Sequence, residues 1–323
     1  LLVDVGTRLT LTGVISGTSL TKNSGELVLT GANTYTRGTA LNAGTITVAN
    51  NAALGTGALV MAGGTTLNTA VNAGTTTNTQ NVTLANNVST TAAATINANT
   101  GLTLILDGFV SGAGSITKTG AGLLVLNNQN SYSGGTTISA GTIRTGNGSA
   151  LGRGAVTMAA GSTLQAGNPG LVVANAIGLT GAATVDTQAF AYTLSGVLSG
   201  SGGFTKTGTG TLNLTAASTY TGATTVAAGT LNLTGSLVSA VTVNSAAALT
   251  GNGTVGALNV LAGGSVNPGA PGTTDIATLT VTGAASLAGT YTVNVTPSAN
   301  DRIVAGGALT LGGTLAVAPV VPG

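Results

Sequence analysis

ITKTGAGLLVLNNQNSYSGGTTISAGT, running from Ile116 to Thr142, is one of three copies of a single phrase. LTKNSGELVLTGANTYTRGTALNAGT runs from Leu20 to Thr45, and FTKTGTGTLNLTAASTYTGATTVAAGT from Phe204 to Thr230. Lys118, Tyr132 and Gly141 keep the offsets of Lys206, Tyr220 and Gly229. Lys22, Tyr35 and Gly44 follow with one deletion ahead of the strand. The first two copies stay in step as far as Leu67 and Leu164. Such self-similarity marks a repeat architecture, in which no unit buries its apolar face alone and neighbours supply the core. Function is then expected on an extended surface and not in a cleft.

Composition narrows the class further. Only 4% of the 323 residues are charged and 53 are glycine, far from the roughly one-quarter charged content of ordinary soluble domains. Mean hydropathy is +0.47 and the aliphatic positions are regularly spaced, which argues against disorder. Glycine does not fall at every third position, which excludes collagen. The best candidate run, Leu102 to Leu106, stops at Asp107-Gly108, well short of the ~18 residues of a membrane helix. Leu1 is no start methionine and opens no signal peptide, so a processed or excised piece is expected. With no cysteine, stability has to come from backbone pairing and burial. Eight Lys/Arg scattered along the chain, for a net charge of +2, form no basic patch with aromatics, so no nucleic-acid partner is expected.

Glycine recurs too often for helices, each costing about 1 kcal/mol in a helix interior. Apolar residues instead alternate with Thr, Ser and Asn in Thr45-Ile46-Thr47-Val48, Thr211-Leu212-Asn213-Leu214 and Thr230-Leu231-Asn232-Leu233, the period-two pattern of strands. A shorter period of 19 relates Leu29 to Val48 and Val48 to Leu67, and also Leu27 to Ile46, Leu124 to Ile143, Leu212 to Leu231 and Leu214 to Leu233. That is about one coil of a parallel β-helix, so these residues are predicted to stack ~4.8 Å apart along one axis, in about 15–17 coils. Leu/Ile/Val ladders would fill the core and Thr/Asn ladders would face water. Residues 1–250 read as the β-helical repeat region, with modules at about 17–70, 112–165 and 200–250 and looser coils at 71–111 and 166–199. Residues 251–323 hold all but one of the six prolines and the adjacent pair Asp301-Arg302, and read as a C-terminal cap or junction. There Pro268, Pro271, Pro297 and Asp301-Arg302 would interrupt pairing and place charge at an edge.

The phrase K-T-G-x-G-x-L-x-L-…-Y-[ST]-G-x-T-x-[IV]-x-A-G-T-[IL] resembles the passenger-associated repeat of bacterial autotransporters, the type V secretion family. NPGAPGT…LTVTG…GTYTVNV…DRIVAGGALTLGGTL, within 267–315, is similar to the C-terminal junction of such passengers. The resemblance covers most of residues 17–318. It implies an all-β fold, a right-handed parallel β-helix (solenoid), exported to the bacterial cell surface, attached to the outer membrane or released. Membrane attachment would run through a separate barrel, because the sequence to Gly323 holds none of the amphipathic ~10-residue strands a barrel needs.

Catalytic inventory is thin. With no His and no Cys, the usual general base, thiol nucleophile and transition-metal ligands are missing. No metal site and no cofactor are expected. Asp4 with Glu26, and Asp275 with Asp301, are the acids separated by about one coil, the spacing a β-helical polysaccharide hydrolase would use. Solvated turn acids are the simpler reading. Gly251-Asn-Gly-Thr-Val-Gly256 matches a dinucleotide-loop pattern, but ALNVLAGGSVNPG follows where a helix should run. Lys22, Lys118 and Lys206 read as solvated corners that blunt strand pairing. Tyr35, Tyr132 and Tyr220 read as rings closing the ends of core ladders with hydroxyls at the surface, or as a line of glycan-stacking contacts. The sequence therefore points to a non-catalytic extracellular passenger acting in adhesion, autoaggregation or surface contact. Its partners would be host or neighbouring-cell surface molecules, glycans among them, or further copies of itself. A structural subunit of an extracellular fibre or sheath is the alternative.

Overall fold

The computed structural model describes residues 6–70, 81–270 and 275–320. Asp4 and Pro271 lie outside them. The described residues are all-β with no helix, and every strand pairing is parallel apart from two isolated bridges, Gly251 to Gly269 and Val295 to Asn300. The result is a parallel β-solenoid, as the period of 19 predicts. The chain divides into two compact units, Leu1–Gly167 and Asn168–Gly323.

Three ladders build the first unit. One stacks Arg8–Leu11, Glu26–Leu29, Thr45–Val48, Thr66–Thr69, Ala94–Asn97, Ile116–Thr119, Thr136–Ile138 and Val156–Met158. A second stacks Leu20–Lys22, Thr39–Leu41, Leu59–Met61, Val88–Thr90 and Val110–Ser111. The third holds Asn81–Leu84, Thr103–Leu106, Leu123–Leu126, Thr142–Thr145 and Thr163–Ala166. The second unit repeats the plan. One ladder runs from Leu171–Val173 to Thr314–Pro319, another from Ala183–Asp186 to Leu309–Leu311, and a third from Ala217–Ser218 to Arg302–Ala305.

Alternation of residues across each strand sends every second side chain inward. Leu27, Leu29, Ile46, Val48, Leu124, Leu126 and Ile143 are fully buried, as are Leu212, Leu214, Leu231 and Leu233 in the second unit. Glycine lets the coils approach at their corners. The glycine of each A-G-T, Gly44, Gly141 and Gly229, has φ of 78°, 68° and 64°. A Cβ on Gly141 would sit 2.4 Å from the Gly120 carbonyl oxygen one coil before. Only glycine tolerates both conditions at once.

Two corrections follow from the register. The solenoid makes about 14 turns, fewer than the 15–17 expected, because the coils are not of uniform length. Thr66 pairs with Thr95 and Leu258 with Ala285, steps far longer than the one from Leu27 to Ile46. Leu29 pairs with Val48 as predicted, but Val48 then pairs with Thr69, while Leu67 lies under Ile46. The coil after Val48 is longer than the one before it, and the excess moves Leu67 into the neighbouring side-chain ladder.

The unequal coils also turn the repeat relative to the solenoid. Four pairings from Glu26 lead through Thr45, Thr66 and Thr95 to Thr117. Thr117 falls well short of Leu123, the counterpart of Glu26 in the second copy. Leu20–Lys22 and Ile116–Thr119 therefore sit in different ladders. The second copy has advanced by one face, and equivalent side chains of the two copies do not form a line.

Candidate functional site

Lys22, Lys118 and Lys206 are two residues beyond Leu20, Ile116 and Phe204 on the same strands, so they point the same way, inward. All three are fully buried, which overturns their reading as solvated corners. Lys118 Nζ donates to the carbonyls of Thr119 and Gly120, both at 2.8 Å, and of Ala140 at 3.2 Å. Lys206 Nζ donates to Thr207, Gly208 and Ala228 at 3.0, 2.7 and 3.0 Å, and to Thr187 Oγ1 at 2.8 Å. Lys22 Nζ reaches the carbonyls of Ser24, Gly25 and Ala43. Each ammonium thus ties its own glycine turn to the alanine of the A-G-T turn one coil on, which explains why the two motifs recur together. Burial pushes the Lys118 and Lys206 amines down to about 8 and lowers Lys22, while Asp186 and Glu26 pull Lys206 and Lys22 back up. These are anchors of the fold, not a binding surface.

The tyrosines are equally internal. Tyr35, Tyr132 and Tyr220 are fully buried, and their hydroxyls hydrogen-bond Thr39, Thr136 and Thr224 Oγ1 at 2.6, 2.6 and 2.5 Å. Desolvation raises all three phenols. The rings are buried, but the hydroxyls are not at the surface, and these rings form no line of glycan-stacking contacts. In the third copy Phe204 packs against Tyr220 with centroids 5.8 Å apart. The residue two before each tyrosine was not singled out from sequence. Asn33 and Asn130 accept from the backbone N–H of Ile15 and Val110, both at 2.8 Å, and donate to the carbonyls of Ala53 and Ala150. Ser218 accepts from Leu198 N–H at 3.1 Å in the third copy. The signal was its place in NTY, NSY and STY.

The Asp4–Glu26 pair lies partly outside the described residues, and Asp275 and Asp301 have different surroundings. Asp301 is buried, not at an edge, and its two carboxylate oxygens accept from the backbone N–H groups of Ala277 and Asn294, each at 2.8 Å. It staples a turn. Asp275 is exposed. Glu26 lies 3.8 Å from Arg8 and accepts from Thr47 Oγ1 at 2.7 Å. Among the described residues no three potential ligands gather around a metal position. Gly251-to-Gly256 connects the strands Ala247–Gly251 and Thr254–Val255 and opens no helix. Pro268 does not interrupt pairing: it closes a paired strand opposite Gly251 and is buried. Pro297 is exposed in the turn that follows the strand Thr290–Val295.

Polar ladders also run along the stack on the side of the strands away from the apolar core, half-buried for the most part, with Thr47 and Thr250 buried. In the first unit Thr119 Oγ1 donates to Asn97 Oδ1 at 3.1 Å, Asn97 Nδ2 to Asn68 Oδ1 at 2.7 Å, and Asn68 Nδ2 to Thr47 Oγ1 at 3.2 Å. In the second unit Thr250 Oγ1, Asn232 Nδ2 and Asn213 Nδ2 donate along the stack to Asn232 Oδ1, Asn213 Oδ1 and Thr193 Oγ1 at 3.4, 2.9 and 3.2 Å. Chemically these are uncharged strips of amides and hydroxyls that hydrogen-bond one another from coil to coil.

The family model for the passenger-associated-transport-repeat matches residues 20–48, 116–144 and 204–233. This is a passenger region of the autotransporter type. Its repeats account for the fold and for the buried Lys, Tyr and A-G-T positions. An adhesin autotransporter, BmaC, from Brucella suis biovar 1 (strain 1330) is 43% identical over 122 residues, which is 37% of this chain and 3% of that protein. An extracellular serine protease from Serratia marcescens is 46% identical over 72 residues, 22% of this chain and 7% of that protein. The chain therefore spans only a small part of the length of the curated relatives it matches. No solved structure matches it. Passengers of this type belong to the secreted or cell-surface proteins, and this region is one of them.

Proposed function

We propose that this passenger region is a non-catalytic adhesive module, which holds a polar surface outside the cell and makes contacts with host or neighbouring-cell molecules or with further copies of itself. The observation that carries this reading is the 122-residue match to an adhesin, taken with a surface that has few charges and is rich in Thr, Ser and Asn. Individual contacts of this kind are weak, and many copies on one cell would sum them. The match to a serine protease does not favour proteolysis by these residues. The chain contains no histidine, whereas a Ser–His–Asp triad needs one as its base. The stretch shared with the protease is better read as scaffold.

Surface display tests the reading. Cells displaying the full chain on a heterologous barrel should settle faster than control cells, or bind more strongly to epithelial cells, and soluble chain should compete. Indistinguishable settling and binding would reject adhesion. Release of reducing sugar from polysaccharides by the purified chain would reject the non-catalytic part.

A further inference from the structure

This chain uses aromatic side chains almost entirely as core. Tyr35, Tyr132, Tyr192, Tyr220 and Phe204 are buried, and Phe190 and Tyr291 are half-buried. Phe109 alone is exposed, at 54%. It sits in the first unit, at the corner that follows the ladder containing Thr103–Leu106. Leu84, Leu106 and Leu126 are register partners there. Counting three residues on from each places Asn87, Phe109 and Gln129 at the same corner position of three successive coils. All three are exposed. They form a column of amide, ring and amide about 10 Å long, two coil spacings.

The column is held rigidly. Phe109 N–H donates to Asn87 Oδ1 at 2.9 Å, and its carbonyl accepts from Val88 N–H at 2.8 Å. Alongside, Asp107 accepts from Asn127 Nδ2 at 2.6 Å through its carboxylate and from Asn128 Nδ2 through its backbone carbonyl. Gln129 also lines a groove of about 350 Å³ with Ser131, Ser149 and Arg153. Within the protein the side chains of Gln129 and Arg153 make no hydrogen bond or ion pair among the described residues.

We propose that the Asn87–Phe109–Gln129 corner, with the adjoining Arg153 groove, is a saccharide-binding site. It rests on the adhesive reading above and supplies the ligand class for it. A ring on a polar surface offers a face to the C–H side of a pyranose, and flanking planar amides pair with its hydroxyls. The column length matches two sugar rings. A protein partner would call for a contiguous apolar patch with several aromatic anchors. Here one ring stands alone among amides, hydroxyls and a carboxylate, the pattern of a site with few, well-placed polar groups.

Saturation-transfer NMR on the full chain, with millimolar chitobiose, lactose and sialyllactose as probes, tests the site. Transfer to the C–H protons of at least one sugar is expected, and F109A should weaken that binding about tenfold or more. Circular dichroism should be unchanged, since Phe109 is more than half exposed and lies at a corner outside the strands. R153A should weaken sialyllactose more than lactose. No transfer to any of the three sugars from the unmodified chain would overturn the proposal, as would equal transfer in F109A. The adhesive reading is scored separately by display of the same variants. Adhesion that survives F109A alongside absent sugar binding removes the saccharide site and leaves the adhesin. Sugar binding lost in F109A without any cellular adhesion does the reverse.

Discussion

The coil containing Val48 and the coil formed by Leu309–Leu311 and Thr314–Pro319 obey the same alternation and end in opposite states. Val48 is sealed, with Leu29 and Thr69 as register partners on either side. Leu309, Leu311, Leu315 and Val317 are 47%, 69%, 62% and 60% exposed, and their strands have a neighbour on one side only among the described residues. A strand pattern thus says which side chains point inward, but only a neighbouring coil on each side converts inward into buried. Stability in a solenoid is a property of neighbours.

The largest contrast should come from placing the same charge in both coils. Val48→Asp puts an unpaired carboxylate into a closed apolar ladder, a change costing upwards of about 4 kcal/mol. It should unfold several coils of its unit. Leu311→Asp, at an exposed position, should cost no more than about 0.5 kcal/mol. Chemical denaturation followed by circular dichroism reads both, and equal losses would break the comparison.

Next in size is the buried ammonium. Lys118→Met keeps the volume but leaves three carbonyls without their donor, which should cost about 2–4 kcal/mol at neutral pH. Arg302→Met, at an exposed position of the open region, should be neutral. A neutral Lys118→Met would mean that water replaces the amine.

The same lysines set a pH dependence. Their folded pKa of about 8 lies below the unfolded value of 10.5, so the folded state binds fewer protons between those limits. Stability should rise as pH climbs from about 8, by roughly 2–3 kcal/mol per lysine if followed to about 10.5. Tyr35, Tyr132 and Tyr220 oppose this above about pH 10. Their folded pKa values are raised, so the unfolded chain ionises first and stability is lost as pH rises further. Melting temperature should therefore pass through a maximum near about pH 10. In Lys118→Met the rising limb should shrink to the Lys206 and Lys22 contributions.

Smallest is Tyr132→Phe. It removes one buried hydroxyl contact while Thr136 Oγ1 keeps its bond to the Leu151 carbonyl at 3.0 Å, so about 1 kcal/mol is expected. A cost near that of Lys118→Met would show that the tyrosine hydroxyl, not the ammonium, organises the corner.

The three-copy phrase, the alternation of strands and the short period from Leu29 to Val48 were enough to determine a parallel β-solenoid with Leu/Ile/Val ladders, because those features are local and every coil reports them again. The position of Lys118 two residues after Ile116 also held the information that it points inward. Its lysine identity argued the other way, since an ammonium is seldom buried. Only the tertiary structure resolves that conflict, by bringing the carbonyls of Gly120 and Ala140 from different coils to one nitrogen. The same holds for Tyr132, whose hydroxyl finds Thr136 inside, and for Asp301, whose carboxylate finds two backbone N–H groups. Coil lengths were beyond the repeat as well. The longer step after Val48 moved Leu67 to another ladder, and the accumulated excess turned the second phrase by one face. The exposed column of Asn87, Phe109 and Gln129 exists only through that register, since each of its members comes from a different coil. Patterns within one strand are written in the chain; which strands become neighbours depends on the summed lengths of the corners between them.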